Sequence, residues 1–154
     1  WKDTGESLSY GLEKMSSIAV LLVGTGTIAG VIKASAVKDL LISLISGWDG
    51  GAALIAPVSS ILMSAASAST TAGATIASAS FAQTVLAAGV NAVWAAAMTN
   101  AGATVLDHPH GSFFHATGGS IGMELKERLR LIPYESLIGL VLVSMTVVMM
   151  LIIN

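Results

Sequence analysis

Four ionisable side chains lie close together near the end of the 154-residue sequence. They are Asp107, His108, His110 and His115, and they include every histidine of the chain. Imidazole changes its charge near neutral pH, and imidazole and carboxylate together are common ligands of zinc and other transition metals. The cluster could therefore exchange protons, hold a metal ion, or be an ordinary loop with solvated histidines.

Pro109 and Gly111 place a backbone break inside this cluster. Proline removes a backbone donor and disfavours helix at the residue before it, so amides and carbonyls become free to meet a ligand. If the break lies at membrane depth, the cost of ionisable groups there indicates a function. Two histidines separated by one proline do not project from one helical face, and no glutamate stands nearby as a hydrolytic base. We therefore predict no metal, no cofactor and no enzymatic activity, and keep an intramembrane metal-dependent enzyme as an alternative.

The composition indicates an integral membrane protein. Hydrophobic residues make up 54% of the chain and charged residues 10%, with a mean hydropathy of +0.81, whereas soluble domains carry about 25% charged residues. No Asp, Glu, Lys, Arg or His occurs in the 57 residues from Gly50 to Leu106. Seven scattered basic residues and a net charge of -2 give no basic stripe, so we exclude nucleic acid as a partner. The absence of cysteine excludes disulfides and thiolate metal sites.

Runs without charge divide the chain into membrane segments. We predict one all-α membrane domain over residues 1–154, with most of its surface in contact with the lipid bilayer. Its segments are a spanning helix at 15–33, an interfacial helix at 36–46, a re-entrant hairpin at 52–84, a broken helix at 86–119 and a spanning helix at 135–153. The charged stretch from Glu124 to Leu131 is expected at the surface, with Pro133 at the start of the last helix. Gly26 and Gly30 in the first helix allow either close helix packing or local unwinding.

The predicted hairpin is rich in small hydroxyl side chains. Eleven serines and threonines lie between Ser59 and Thr84, where a helix facing lipid would carry large aliphatic residues. A chain that turns back at membrane depth explains this composition, with its tip near residues 67–75 and Gly73 permitting the turn. Amides and hydroxyls at such a tip would bind an anion without a buried positive charge. The alternative is a pair of tightly packed small-residue helices.

A hairpin tip that faces a broken helix is typical of secondary transporters with the substrate at the membrane midplane. Basic residues predict the orientation of the chain: five of the seven lie on the side of residues 2–14 and 126–130, which we therefore expect to be cytoplasmic. The sequence begins with a polar stretch and shows no signal peptide, so we expect a fragment of a longer multi-pass membrane protein.

Three stretches resemble the carboxyl-terminal part of the gluconate permease family, in the wider ion transporter superfamily. They are "SASTTAGATIASASFAQTVLAAGV", "NAGATVLDHPHGSFFHATGG" and "LKERLRLIPYESLIGLVL". The resemblance implies proton-coupled symport of gluconate or a related small organic acid across a bacterial inner membrane. It also implies two inverted repeats, of which this chain holds one, a missing amino-terminal repeat as partner, and a homodimer.

The resemblance also implies roles for individual residues. The expected substrate-binding residues are Ser67, Ser69, Thr70, Thr71, Gly73 and Thr75 at the tip, with Pro109, His110, Gly111 and Ser112 in the broken helix. Asp107 and His110 are the expected proton-coupling residues. An alternative from a different class is a membrane assembly or interaction subunit that does not transport, in which the small-residue helices only pack.

Overall fold

The computed structural model describes residues 2–47, 51–106 and 118–153 of the chain. The described part contains six long helices, and no strand occurs in it, so the prediction of an all-α protein is confirmed. The helices are α1 (Lys2–Ala34), α2 (Ala36–Ser46), α3 (Gly51–Ser67), α4 (Thr70–Ala87), α5 (Ala92–Ala103) and α6 (Leu125–Ile153).

Helix α1 has 33 residues and continues without a break through its glycine-rich stretch. Local unwinding at Gly26 and Gly30 is therefore wrong. A Cβ atom placed on Gly24, Gly26 or Gly30 would have no atom within 4 Å in the described part of the chain. The described residues thus provide no packing partner for these glycines, and close packing stays a prediction. Near its end α1 contacts the rest of the fold, and Ala29 is buried there.

Helix α2 covers the same residues as the predicted interfacial helix. Ser35 begins it as the N-cap, with its hydroxyl oxygen accepting a hydrogen bond from the Val37 amide at 3.3 Å. Only part of its apolar face turns inward: Ile45 is buried and Leu41 packs against the core, while Leu44 is 62% exposed. A short helix with an exposed apolar face is compatible with a place at a membrane interface.

Helices α3 and α4 form an antiparallel hairpin joined by Ala68 and Ser69. The tight turn depends on Ala68, whose φ of 49° lies in the left-handed region. Gly73 lies inside α4 and does not form the turn, which corrects the prediction for that residue. A Cβ atom on Gly73 would collide with the backbone of Ser64 on α3, so this glycine allows the two helices to approach closely.

The chain after α4 differs from the predicted segmentation in two places. A turn at residues 88–91, with Gly89 at φ 86°, separates α4 from α5. The expected surface segment and the last helix form one element, α6, which runs through Pro133. The Glu127 carboxylate accepts a hydrogen bond from the Glu124 amide at 2.9 Å, so the Glu127 side chain caps the first turn of this helix well before the proline.

Helices α3, α4 and α5 pack against one another around the main hydrophobic cluster. Its largest fully buried side chains are Phe81, Met98 and Val85, and Met150 of α6 joins the same cluster. Within the described residues, α6 is the one helix long and apolar enough to cross a membrane, and α3 is apolar but shorter. The re-entrant character of the α3–α4 hairpin remains a prediction.

Candidate functional site

The hairpin tip is built by its own serines. The Ser67 hydroxyl donates to the Met63 carbonyl at 2.8 Å and lies 3.2 Å from the Ser69 carbonyl across the turn. The Ser69 hydroxyl oxygen caps α4 by accepting a hydrogen bond from the Ala72 amide at 3.3 Å. Both predicted substrate-binding serines therefore have a structural role that their residue type and spacing did not indicate.

The threonines after the turn divide into two groups. The Thr75 hydroxyl donates to the Thr71 carbonyl at 2.8 Å. The hydroxyls of Thr70 and Thr71 have no hydrogen bond within the described residues, and Thr71 is exposed. The first amides of an α-helix lack partners inside the helix and carry partial positive charge. Thr70 and Thr71 are therefore the tip residues best placed to offer hydroxyls and amides to an anion.

Gly73, also a predicted substrate-binding residue, is buried against α3. Its neighbour there is Ser64, whose side chain is 1% exposed. Helix packing explains the position of Gly73. This residue can affect a ligand at the tip only indirectly, by holding the backbone of α4 in place.

Two buried serines of α3 connect the hairpin to α5. The Ser60 hydroxyl donates to the Thr99 carbonyl at 2.6 Å, and the Ser64 hydroxyl donates to the Ala103 carbonyl at 2.8 Å. From the first bond to the second, the donor moves four residues toward the carboxyl end of α3 and the acceptor moves four residues toward the carboxyl end of α5. The two helices therefore run parallel. The hairpin tip, which follows Ser64 within one helical turn, therefore lies at the same end of the helix bundle as the end of α5.

The broken-helix motif begins where α5 ends. Leu106 is the last described residue before it, and residues 107–117 lie outside the described residues. This segment contains Asp107, Pro109, His110, Gly111 and Ser112, the predicted residues for proton coupling and for the second half of the substrate site. The roles of these residues stay predictions.

The packing of α3, α4 and α5 leaves open spaces that the sequence pattern does not indicate. One cavity of about 190 Å³ lies among α3, α4 and α5, with Ser59 and Thr99 on its wall. A more open surface groove of about 520 Å³ lies between α4 and α5. The described residues contain no cluster of three or more histidine, aspartate or glutamate side chains that could hold a metal.

The Ser64 hydrogen bond can be tested against a matched serine. Ser64→Ala removes a buried donor from a carbonyl at a helix end, where the carbonyls lack partners inside the helix, and should destabilise the fold by about 1–3 kcal/mol. Ser59→Ala is the control, because Ser59 is 2% exposed but donates to Ala56 in its own helix. Thermal unfolding in detergent should show a lower midpoint for Ser64→Ala than for Ser59→Ala. Equal midpoints would contradict a structural role for the α3–α5 bond.

Comparison with known proteins gives one informative relative. Over 133 residues the chain is 53% identical to an uncharacterized transporter of Haemophilus influenzae. The relative is a transporter by name. The match covers 86% of this chain but 32% of the relative, so the chain spans about a third of the length of the curated relative it matches. No family model matches the chain, and no solved structure matches it.

The name of the relative gives a class of function and no further detail. Its name contains no substrate and no coupling ion, and the alignment covers most of the chain. The relative is named for transport, and α6 has the length and apolar composition of a membrane-spanning helix.

Proposed function

We propose that this chain is part of a secondary transporter that carries gluconate or a related small organic acid together with protons. The similarity to a named transporter supports the transporter class, and the apolar helix α6 supports a place in the membrane. The substrate and the proton coupling come from the family resemblance of the tip and of the Asp107–Ser112 motif. We place the protein in a bacterial inner membrane as a multi-pass protein.

The observation that carries the proposal is the hydrogen bond from Ser64 to Ala103. It brings the hairpin tip and the end of α5 to one end of the bundle. The segment with the ionisable groups begins at Asp107, directly after Leu106 and one helical turn beyond Ala103 in the sequence. A substrate at the tip would therefore be close to the point from which the broken-helix motif departs.

The tip has groups suited to a carboxylate. Helix α4 has 18 residues, and its first amides and the Thr70 and Thr71 hydroxyls favour anion binding without a fixed charge. In the proposal, the side of the substrate opposite the hairpin tip meets backbone groups and a hydroxyl from Pro109, Gly111 and Ser112. Asp107 and His110 take up and release the proton.

Substrate affinity should depend on the Thr71 hydroxyl. Thr71→Val keeps the side-chain shape but removes a donor to a charged group, a loss of about 1.5–3 kcal/mol, so KM for gluconate uptake should rise about tenfold or more. Uptake is measured with the complete natural protein in proteoliposomes under a pH gradient, acid outside. Thr84→Val near the other end of α4 is the matched control and should keep the original KM.

The same assay decides on the class of function. Uptake of a sugar acid that depends on the protein and on the gradient supports the transporter. A protein that reconstitutes in folded form and moves none of a panel of sugar acids and short carboxylates would favour the assembly subunit. An unchanged KM in Thr71→Val would remove the hairpin tip from the substrate site.

A further inference from the structure

The outer surface of the helix bundle has two contrasting parts. Helix α6 exposes large aliphatic side chains along most of its length, among them Leu137, Val141, Met145 and Val148. Helices α4 and α5 expose mainly alanine and small polar residues. The only large hydrophobic side chains exposed on these two fully described helices are Leu86 and Val93, both far from the tip.

The surface between α4 and α5 is concave. We call it the small-residue groove, and it is lined by residues between Ala74 and Ala79 on α4 and between Ala96 and Asn100 on α5. The groove has a volume of about 520 Å³. It adjoins the 190 Å³ cavity, with which it shares Ser78, Ala96 and Thr99, so the open space continues along the helix pair.

Polar groups in the small-residue groove make lipid an unsuitable neighbour. The Ser78 hydroxyl and the Asn100 amide make no hydrogen bond within the described residues, and both are exposed. A polar group without a partner in hydrocarbon costs several kcal/mol, because lipid chains offer neither donors nor acceptors. The groove therefore suits protein or water better than lipid, whereas the aliphatic surface of α6 suits lipid.

The other residues that line the small-residue groove favour protein over water as its occupant. Alanine contributes a large share of the lining, at Ala74, Ala79 and Ala96, and small residues let the backbones of membrane helices approach closely. The relative supplies a source for the occupant, since the alignment with this chain covers only 32% of its length.

We propose that the small-residue groove receives a helix from another part of the same natural polypeptide. This helix would present small side chains at the contact and a hydrogen-bonding group to Ser78 or Asn100. The inference rests on the membrane placement of the proposed function but not on the substrate or the coupling ion. It makes the α4–α5 side the inner face of the complete protein and the α6 side a lipid-facing surface.

Spin labels can distinguish lipid, water and protein as neighbours of the groove. Since the chain has no cysteine, Ala96→Cys and Val148→Cys each introduce one labelling position into it. The complete natural protein, with any cysteine elsewhere replaced, is labelled with a nitroxide and reconstituted. Collision with oxygen reports lipid, and collision with a water-soluble nickel chelate reports water.

The expected result is an immobilised label at Ala96 with low accessibility to both reagents, and a label at Val148 with high accessibility to oxygen. Ala79→Cys is the second groove position if the Ala96 variant does not fold. High oxygen accessibility at the groove would mean lipid and overturn the proposal, and high nickel accessibility would mean a water-filled channel and overturn it equally. Dipolar broadening between labels at Ala96 would identify a second copy as the occupant and reject the intrachain helix. None of these readings depends on transport, so they stand apart from the uptake assay.

Discussion

Replacing Asp107 with asparagine and His110 with glutamine in the same protein is expected to abolish proton-coupled uptake. Neither replacement can take up and release a proton near neutral pH, while both keep a similar size and hydrogen-bonding capacity. A pH gradient should then no longer drive accumulation of the substrate in proteoliposomes. Exchange of labelled for unlabelled substrate across the membrane should continue, because it needs binding and movement but no net proton transfer.

His115→Gln is the matched control for this double replacement. It removes an imidazole from the same segment at a position outside the Asp107–Ser112 motif, so the control should accumulate substrate like the unchanged protein. The single variants then show which of the two groups carries the proton. Accumulation that stays gradient-driven in the double variant would refute the assignment of both residues.

The ends of several helices could be predicted from local chemistry. Helix α2 matches its predicted range because a serine cap precedes it and Gly47 follows it. The hairpin composition indicated a turn near residues 67–75, and the turn lies at Ala68 and Ser69. These features depend on residues close together in the chain, so a single sequence contains the information for them.

Features that depend on contacts between helices were not predictable in the same way. A serine that caps a helix, lines a pore or donates to a neighbouring helix has the same letter, so the bonds of Ser60 and Ser64 to α5 could not be assigned. Gly73 suggested a turn because glycine is permissive, but its role is to avoid a collision with Ser64 across the hairpin.

The last helix shows how a strong local signal can mislead. Pro133 suggested a helix start, since proline is favoured in a first helical turn. The hydrogen bond from the Glu124 amide to the Glu127 carboxylate marks an earlier start of α6, and the exposed proline is accommodated inside the helix. For the candidate site, the tip residues could be placed near one another from sequence, whereas their division into turn-building serines and available threonines required the hydrogen bonds.

Gly73→Ala is expected to destabilise the protein, although alanine is the better helix former. The new Cβ would lie 2.7 Å from the Ser64 Cβ and closer still to the Ser64 backbone, which cannot rotate away as a side-chain end can. Overpacking of this kind costs about 1–3 kcal/mol and more where backbone must move, which exceeds the gain of up to about 1 kcal/mol in helix propensity.

Gly11→Ala is the matched control, because Gly11 lies within α1 and a Cβ there meets no atom within 4 Å. Thermal unfolding of the complete natural protein in detergent should give a lower midpoint for Gly73→Ala and an unchanged or higher midpoint for Gly11→Ala.

The same substitution should also affect transport. Gly73 holds α4 against the same Ser64 that bonds to Ala103, so a displaced α4 should shift the position of the hairpin tip relative to the end of α5. KM for uptake should therefore rise in Gly73→Ala even at temperatures where the protein is fully folded. A variant with normal stability and normal KM would show that close contact between α3 and α4 is not needed to position the tip.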